Sequence, residues 1–208
     1  MCKGRWRGVS RDGGIVIVKF SAEQSLSQMH SRHLTAPFTQ GSLLLLSSPP
    51  NGKRKGKEMK IIDYFTTENK PHWLAQIQKS DWSAGAFLHD LLKEGTLKAL
   101  AGEQTKLFLL TEGDELIAFC TLSERDDIQP TTLTPWIGFV YTYPEHRGHR
   151  HAQTLLQFAE QVAAKEGAKQ VYISTNHQGL YEKYGYTYLS TMNDVNGEPS
   201  RVYVKNVK

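Results

Sequence analysis

Residues 143–186 constrain this chain more than any other stretch, because hydrophobic period and charge change there in a fixed order. The apolar run Trp136–Thr142 ends at Pro144. A basic, glycine-containing turn follows: Arg147, Gly148, His149, Arg150, His151, Ala152. Ala152, Leu155, Leu156, Ala159, Val162 and Ala163 then recur at the spacing of one helix face, which predicts a helix over 149–165. Residues 170–174 read as a strand, and Leu180-Tyr181-Glu182-Lys183-Tyr184-Gly185-Tyr186 closes the stretch. A basic turn that opens a helix is an anion trap. The first helical amides have no partner inside the helix, and the helix dipole adds positive potential. Two arginines and two histidines reinforce it, and a diphosphate is the natural guest.

The stretch resembles the coenzyme A site of the GNAT superfamily of acyl-CoA N-acyltransferases, from about Met59 to the C-terminus. The family's pyrophosphate loop reads Arg or Gln, two residues, Gly, one residue, then Gly or Ala. Arg147 fills the first place and Ala152 the last. Arg150 stands where the middle glycine is usual, at a point where glycine takes positive φ cheaply. Residues 181–186 resemble the family's Tyr-Glu-Lys-x-Gly-Phe segment. Loop, helix, strand and tyrosine segment in this order are far more specific than the loop alone.

The resemblance implies the fold and the cosubstrate. The fold would be α/β, a mixed, twisted sheet flanked by helices, with two central strands splayed to admit acetyl-CoA. In the family the fourth strand offers its free backbone groups to pantetheine and the thioester carbonyl. Val140, Tyr141 and Thr142 of the strand carry that role here, and Arg147, Gly148, His149, Arg150, His151 and Ala152 hold the pyrophosphate. A backbone amide aimed at a developing oxyanion contributes ~3 kcal/mol. Tyr181 matches the family tyrosine that reaches the CoA sulfur, and so is the candidate general acid. A phenol with pKa near ~10 stays protonated at neutral pH and can donate as thiolate forms. The bland alternative for Tyr181 is a packing tyrosine. Tyr184 is its nearest competitor, at a position that is usually apolar.

The base is not legible. The predicted strand 136–142 bears no carboxylate, unlike many relatives. Glu124, Asp126 and Asp127 in the preceding loop and His177 beyond the fifth strand are the candidates. Histidine has a suitable intrinsic pKa of ~6.5. Trp136 and Tyr141 are candidates to line an acceptor pocket, with core packing the alternative for the tryptophan. No metal is expected, because no Cys/His set has ligand spacing.

The net charge of +4 over 208 residues misleads. Residues 1–58 hold ten Lys/Arg against three Asp/Glu, a net of +7, while 59–208 hold fifteen against eighteen, a net of −3. No nucleic-acid partner is therefore expected for the acidic part. Residues 1–58 have linker composition ending in a charge run, Lys53-Arg54-Lys55-Gly56-Lys57. They are expected to be a disordered or non-native extension, with 59–208 as the acetyltransferase domain. A strand is conceivable over 14–18. No apolar run approaches the ~20 residues of a membrane helix. Two cysteines, Cys2 and Cys120, imply no disulfide framework, and a reducing, cytoplasmic setting is the expectation. Cys120 lies in the run 116–120 and reads as a small buried residue rather than a nucleophile. The acceptor is expected to be an amine of a small molecule or peptide. Oligomeric state is not legible, and a homodimer stays open.

The remaining pattern predicts a strand at 60–65, helices at 71–79 and 82–93, and a hairpin of 106–111 with 115–123 around Gly113-Asp114. A short helix at 180–184 and closing strands at 185–191 and 201–205 complete it.

Overall fold

The structure is a computed structural model that describes residues 58–208. Cys2, the candidate strand at 14–18 and the basic run at 53–57 lie outside the described residues. Seven strands and four helices follow in the order β1 (Met59–Asp63), α1 (Lys70–Ile77), α2 (Ser83–Glu94), α3 (Leu97–Ala101), β2 (Lys106–Glu112), β3 (Glu115–Ser123), β4 (Trp136–Thr142), α4 (His151–Lys165), β5 (Gln170–Thr175), β6 (Thr187–Asn193) and β7 (Pro199–Asn206). They form one mixed sheet of order β1-β2-β3-β4-β5-β7-β6.

The sheet is covered on both faces. Trp73, Ile77, Leu88 and Leu92 of α1 and α2 pack with Leu107, Leu109 and Phe119. Leu155, Leu156 and Ala159 of α4 pack on the opposite face with Leu110, Ile117, Cys120, Ile137 and Val171. β3 therefore sends Phe119 one way and Cys120 the other, and all its residues after Glu115 are buried. A strand buried on both faces reads as a continuous apolar run, as this one does.

Three expectations need correction. α4 begins at His151 rather than 149, because Arg150 takes a left-handed conformation that cannot be helical. The predicted helix at 180–184 shrinks to a single 3₁₀ turn, Glu182–Tyr184, ended by left-handed Gly185. The short α3 has no counterpart in the sequence reading. Its five residues lack room for a periodic signal, and it is held by the burial of Leu97 and Ala101.

Candidate active site

β4 and β5 run parallel but share only one register pair, Trp136↔Tyr172. From Ile137 onward β4 has left β5, so a cleft opens between them. On its other side β4 pairs with β3, and the ladder breaks between Phe119 and Thr121, whose partners are Tyr141 and Gly138. Phe139 and Val140 thus stand opposite Cys120 alone, which is a β-bulge. Phe139 adopts φ +49°, a costly backbone state for a bulky side chain. The bulge turns the peptide units of Phe139–Val140 out of the regular ladder at the point where the cleft begins. Its cause is invisible in the sequence, since the run has no glycine at the strained position.

Thr142 and Ala118 pair at the far end of β4. A 3₁₀ turn at Pro144–His146 then leads to the predicted anion loop. Gly148 has φ +83° and Arg150 φ +62°. Two left-handed residues two apart coil the backbone, and the arginine accepts a conformation that glycine would take without strain. α4 starts directly after. Its first bond to a preceding carbonyl is Thr154 N–H to Arg150 O at 3.1 Å. The amides of His151, Ala152 and Gln153 precede it at the positive end of the helix.

Of the loop side chains, Arg147 is turned away from the helix end. Its Nε donates to Thr142 O at 3.0 Å, and its Nη2 lies 3.5 Å from Asp81 Oδ1. Asp81 also accepts the Tyr141 hydroxyl at 2.5 Å. Burial, then the hydrogen bond to Asp81, push the Tyr141 phenol up to about 12. Arg147, Tyr141 and Asp81 thus clamp the end of β4 to the loop before α2, and Trp82 stacks on Tyr141 with ring centroids 5.8 Å apart. The sequence reading missed Asp81, which is sixty positions from Tyr141 and sits in no motif.

The three histidines of the loop gather. Ring centroids of His149 and His151 are 5.7 Å apart, and those of His146 and His151 are 6.5 Å apart. Burial, then the neighbouring His149 and His146, hold the His151 imidazole below its usual value. His146 Nε2 is 3.1 Å from Glu115 Oε1. Among the described residues no group of three His, Cys, Asp or Glu side chains could hold a metal ion.

Tyr181 follows β5, just before the 3₁₀ turn Glu182–Tyr184. Its ring is buried with Ile137, Cys120 and Leu155. Burial first, then Cys120, Tyr184 and Asp126, push its phenol above the ordinary value. It therefore stays protonated far above neutral pH, as a proton donor must. Its hydroxyl makes no hydrogen bond among the described residues, while Tyr184 and Tyr186 N–H both donate to its carbonyl at 2.9 and 3.1 Å. The backbone turn is pinned, and the ring packs against those of Tyr184, Tyr186 and Tyr203. Tyr184 is half-buried against the same core.

His177 lies exposed in the loop after β5, its amide donating to Thr175 Oγ1 at 3.1 Å. Glu124 accepts the Gln104 amide at 2.8 Å and packs on Gly102, beside the end of α3. Asp126 is placed differently. Its Oδ2 lies 3.2 Å from where a β-carbon on Gly138 would stand, at the start of the bulge. Trp136 does not line a pocket. It is fully buried with Ile128, Tyr172 and Val202, and its indole donates to Leu133 O at 2.7 Å. Cys120 is fully buried, and burial drives its thiol well above the usual range.

The model of the GNAT acetyltransferase family matches residues 63–186, more than half of the chain. The chain belongs to the GNAT acetyltransferase family. No curated protein sequence matches it. Its fold is shared with solved structures at low identity. A GNAT-family structure from Desulfovibrio desulfuricans aligns over 73% of this chain and 100% of its own, at 12% identity and a TM-score of 0.56. An acetyltransferase from Streptococcus agalactiae aligns over 72% and 98%, at 20% identity and a TM-score of 0.51. An aminoglycoside 6'-N-acetyltransferase complexed with coenzyme A aligns over 73% and 97%, at 14% identity and a TM-score of 0.51. No helix among the described residues is long and apolar enough to cross a membrane.

Proposed function

We propose that the chain is an N-acetyltransferase that moves an acetyl group from acetyl-CoA to an amine by direct attack on the thioester. The observation that carries this reading is the cleft. β4 leaves β5 after Trp136↔Tyr172, the bulge at Phe139–Val140 opens onto it, and Tyr181 lies in the buried cluster that holds Ile137 of β4. Pantetheine would pair with the uncovered edge of β4 at Val140, Tyr141 and Thr142. The pyrophosphate would sit on the amides of Gly148–Ala152 and on α4, with His149, Arg150 and His151 supplying charge. In this reading Arg147 acts mainly by fixing the end of β4. The solved relative with coenzyme A bound supports the choice of cosubstrate.

The chemistry needs a donor at sulfur and an amide at the carbonyl. The peptide N–H groups of the bulge are the candidates for the carbonyl. Tyr181 delivers its proton to the sulfur as the C–S bond breaks. The full chain, with acetyl-CoA and a panel of amines, tests this by steady-state thiol release. Amine-dependent release supports the reading. Coenzyme A binding without turnover on any amine overturns it and leaves an acyl-CoA sensor or scaffold.

A further inference from the structure

β7 carries Arg201, Tyr203 and Lys205 at alternate positions, so the three stand on one face of the sheet. Val202 and Val204 between them pack with Trp136 on the other. All three polar groups converge on the turn that follows Tyr181. The Tyr203 ring is fully buried, and its hydroxyl donates to Glu182 Oε1 at 2.9 Å and accepts from Arg201 Nε at 3.1 Å. The same hydroxyl reaches His177 O at 3.3 Å, ahead of Tyr181. Two positions along β7, Lys205 Nζ donates to Tyr184 O at 2.8 Å and to Glu160 Oε2 at 2.7 Å. The Tyr181 ring rests among those of Tyr184, Tyr186 and Tyr203, at centroid distances of 6.5, 6.0 and 6.2 Å.

We propose that Tyr203 and Lys205 are positioning residues for Tyr181. The inference rests on Tyr181 being the acid of the acetyltransferase reading, and extends that reading to β7. Among the described residues Tyr181 hydrogen-bonds through its carbonyl, to the amides of Tyr184 and Tyr186, so its ring is placed by the turn and the rings around it. Tyr203 holds the first residue of that turn, Glu182, and Lys205 holds the last, Tyr184. The frame is built from groups that are expensive to bury. Glu160 and the Tyr203 hydroxyl are sunk in the core, and a buried ion pair stabilises no more than well-packed apolar side chains of the same volume. Hydrogen bonds with fixed lengths and directions do define one geometry for the turn, which apolar packing alone does more loosely. Neither residue exchanges a proton with the substrate. Each acts by keeping the Tyr181 ring where it can protonate sulfur as the C–S bond breaks.

The test is a double-mutant cycle in the full chain. Tyr203→Phe keeps the ring against Tyr181 and removes the hydroxyl, and Lys205→Met removes the ammonium. Each is made alone and together with Tyr181→Phe. Single-turnover transfer from bound acetyl-CoA is measured to the fastest of phenethylamine, an aminoglycoside and a lysine-containing peptide. Each single variant should lower the rate by on the order of 10-fold with acetyl-CoA affinity unchanged, because a small displacement of a reacting group is costly. In the Tyr181→Phe background the same substitution should lower it no further, since the positioned hydroxyl is already gone. Lys205→Arg keeps a cation for Glu160 and should recover most of the rate. Tyr203→Phe strands no buried charge, so it carries the test if Lys205→Met fails to fold. Equal losses in both backgrounds report a structural role and overturn the inference while leaving Tyr181 as the acid, as do single variants at the wild-type rate. A Tyr181→Phe rate equal to wild type removes the acid and this inference together. No transfer to any of the three amines, with coenzyme A still bound, overturns the acetyltransferase reading and the inference with it.

Discussion

Asp126 lies so close to Gly138 that a β-carbon there would stand 3.2 Å from its Oδ2, and 3.2 Å from Thr121 Oγ1. The missing side chain at Gly138 is what lets a carboxylate reach the first turn of the bulge. Gly138→Ala should push Asp126 outward by a few tenths of an ångström or more. Turnover should fall by roughly 10-fold or more, since a small displacement of the bulge beside the cleft is costly. Acetyl-CoA affinity should hold. Steady-state kinetics with a calorimetric titration of coenzyme A would check this, and a normal rate would show that the close approach is unimportant.

Arg150 takes the left-handed state at the N-cap of α4. Arg150→Gly removes ~1–2 kcal/mol of strain and adds ~0.5–1 kcal/mol of unfolded-chain entropy. Stability should therefore hold or rise slightly, while coenzyme A binding weakens through loss of a phosphate-facing charge. Chemical denaturation and calorimetry together check both halves. Loss of stability by more than ~1 kcal/mol would mean that the arginine side chain supports the loop in some other way.

His151 is held below its ordinary value by burial, then by His149 and His146. A depressed histidine is mostly neutral at pH 7. A bound diphosphate supplies the opposite charge and raises it, so binding takes up protons. Coenzyme A affinity should accordingly increase as pH falls from about 8 to about 6. Calorimetry in buffers of different ionisation enthalpy would show proton uptake. Proton release, or an affinity that weakens on acidification, would place the phosphates away from this loop.

Glu160 is a buried carboxylate on α4 that accepts Tyr186 Oη at 2.8 Å and Lys205 Nζ at 2.7 Å. Lys205 also donates to Tyr184 O at 2.8 Å, so the pair ties α4 and β7 to the turn behind Tyr181. Lys205→Met leaves a buried carboxylate without its cation and should cost ~3 kcal/mol or more. Urea unfolding measures this directly. A near-neutral result would mean that the site admits enough water to screen Glu160.

Much of this molecule was legible because the signals were local. The bounds of β4 emerge from the apolar run and Pro144, and α4 is within two residues of its predicted start. The anion loop and Tyr181 stood out as candidates because they lie in one continuous motif. What escaped depends on contacts between distant segments. Asp81 reaches Tyr141 only after α1 and α2 fold over the sheet. The bulge needs β3 to pair around it. Of the four base candidates in the sequence, His177 lies exposed in the loop after β5, Glu124 accepts the Gln104 amide, and Asp126 lies against Gly138 and accepts the Asp127 amide, placements that only the folded chain shows. Trp136 was ambiguous between pocket and core because an aromatic on a strand suits either, and its full burial with Ile128, Tyr172 and Val202 decides for core.

Tyr181 offers the most direct test of acetyl transfer in the β4–β5 cleft. Tyr181→Phe keeps the buried ring and removes only the hydroxyl. Single-turnover acetyl transfer, measured with acetyl-CoA bound and amine in excess, reports the chemical step. The expected result is a fall of ~10²-fold or more, with acetyl-CoA affinity little changed. An unchanged rate, with chemistry shown to be rate-limiting, would contradict the assignment and remove Tyr181 from the reaction.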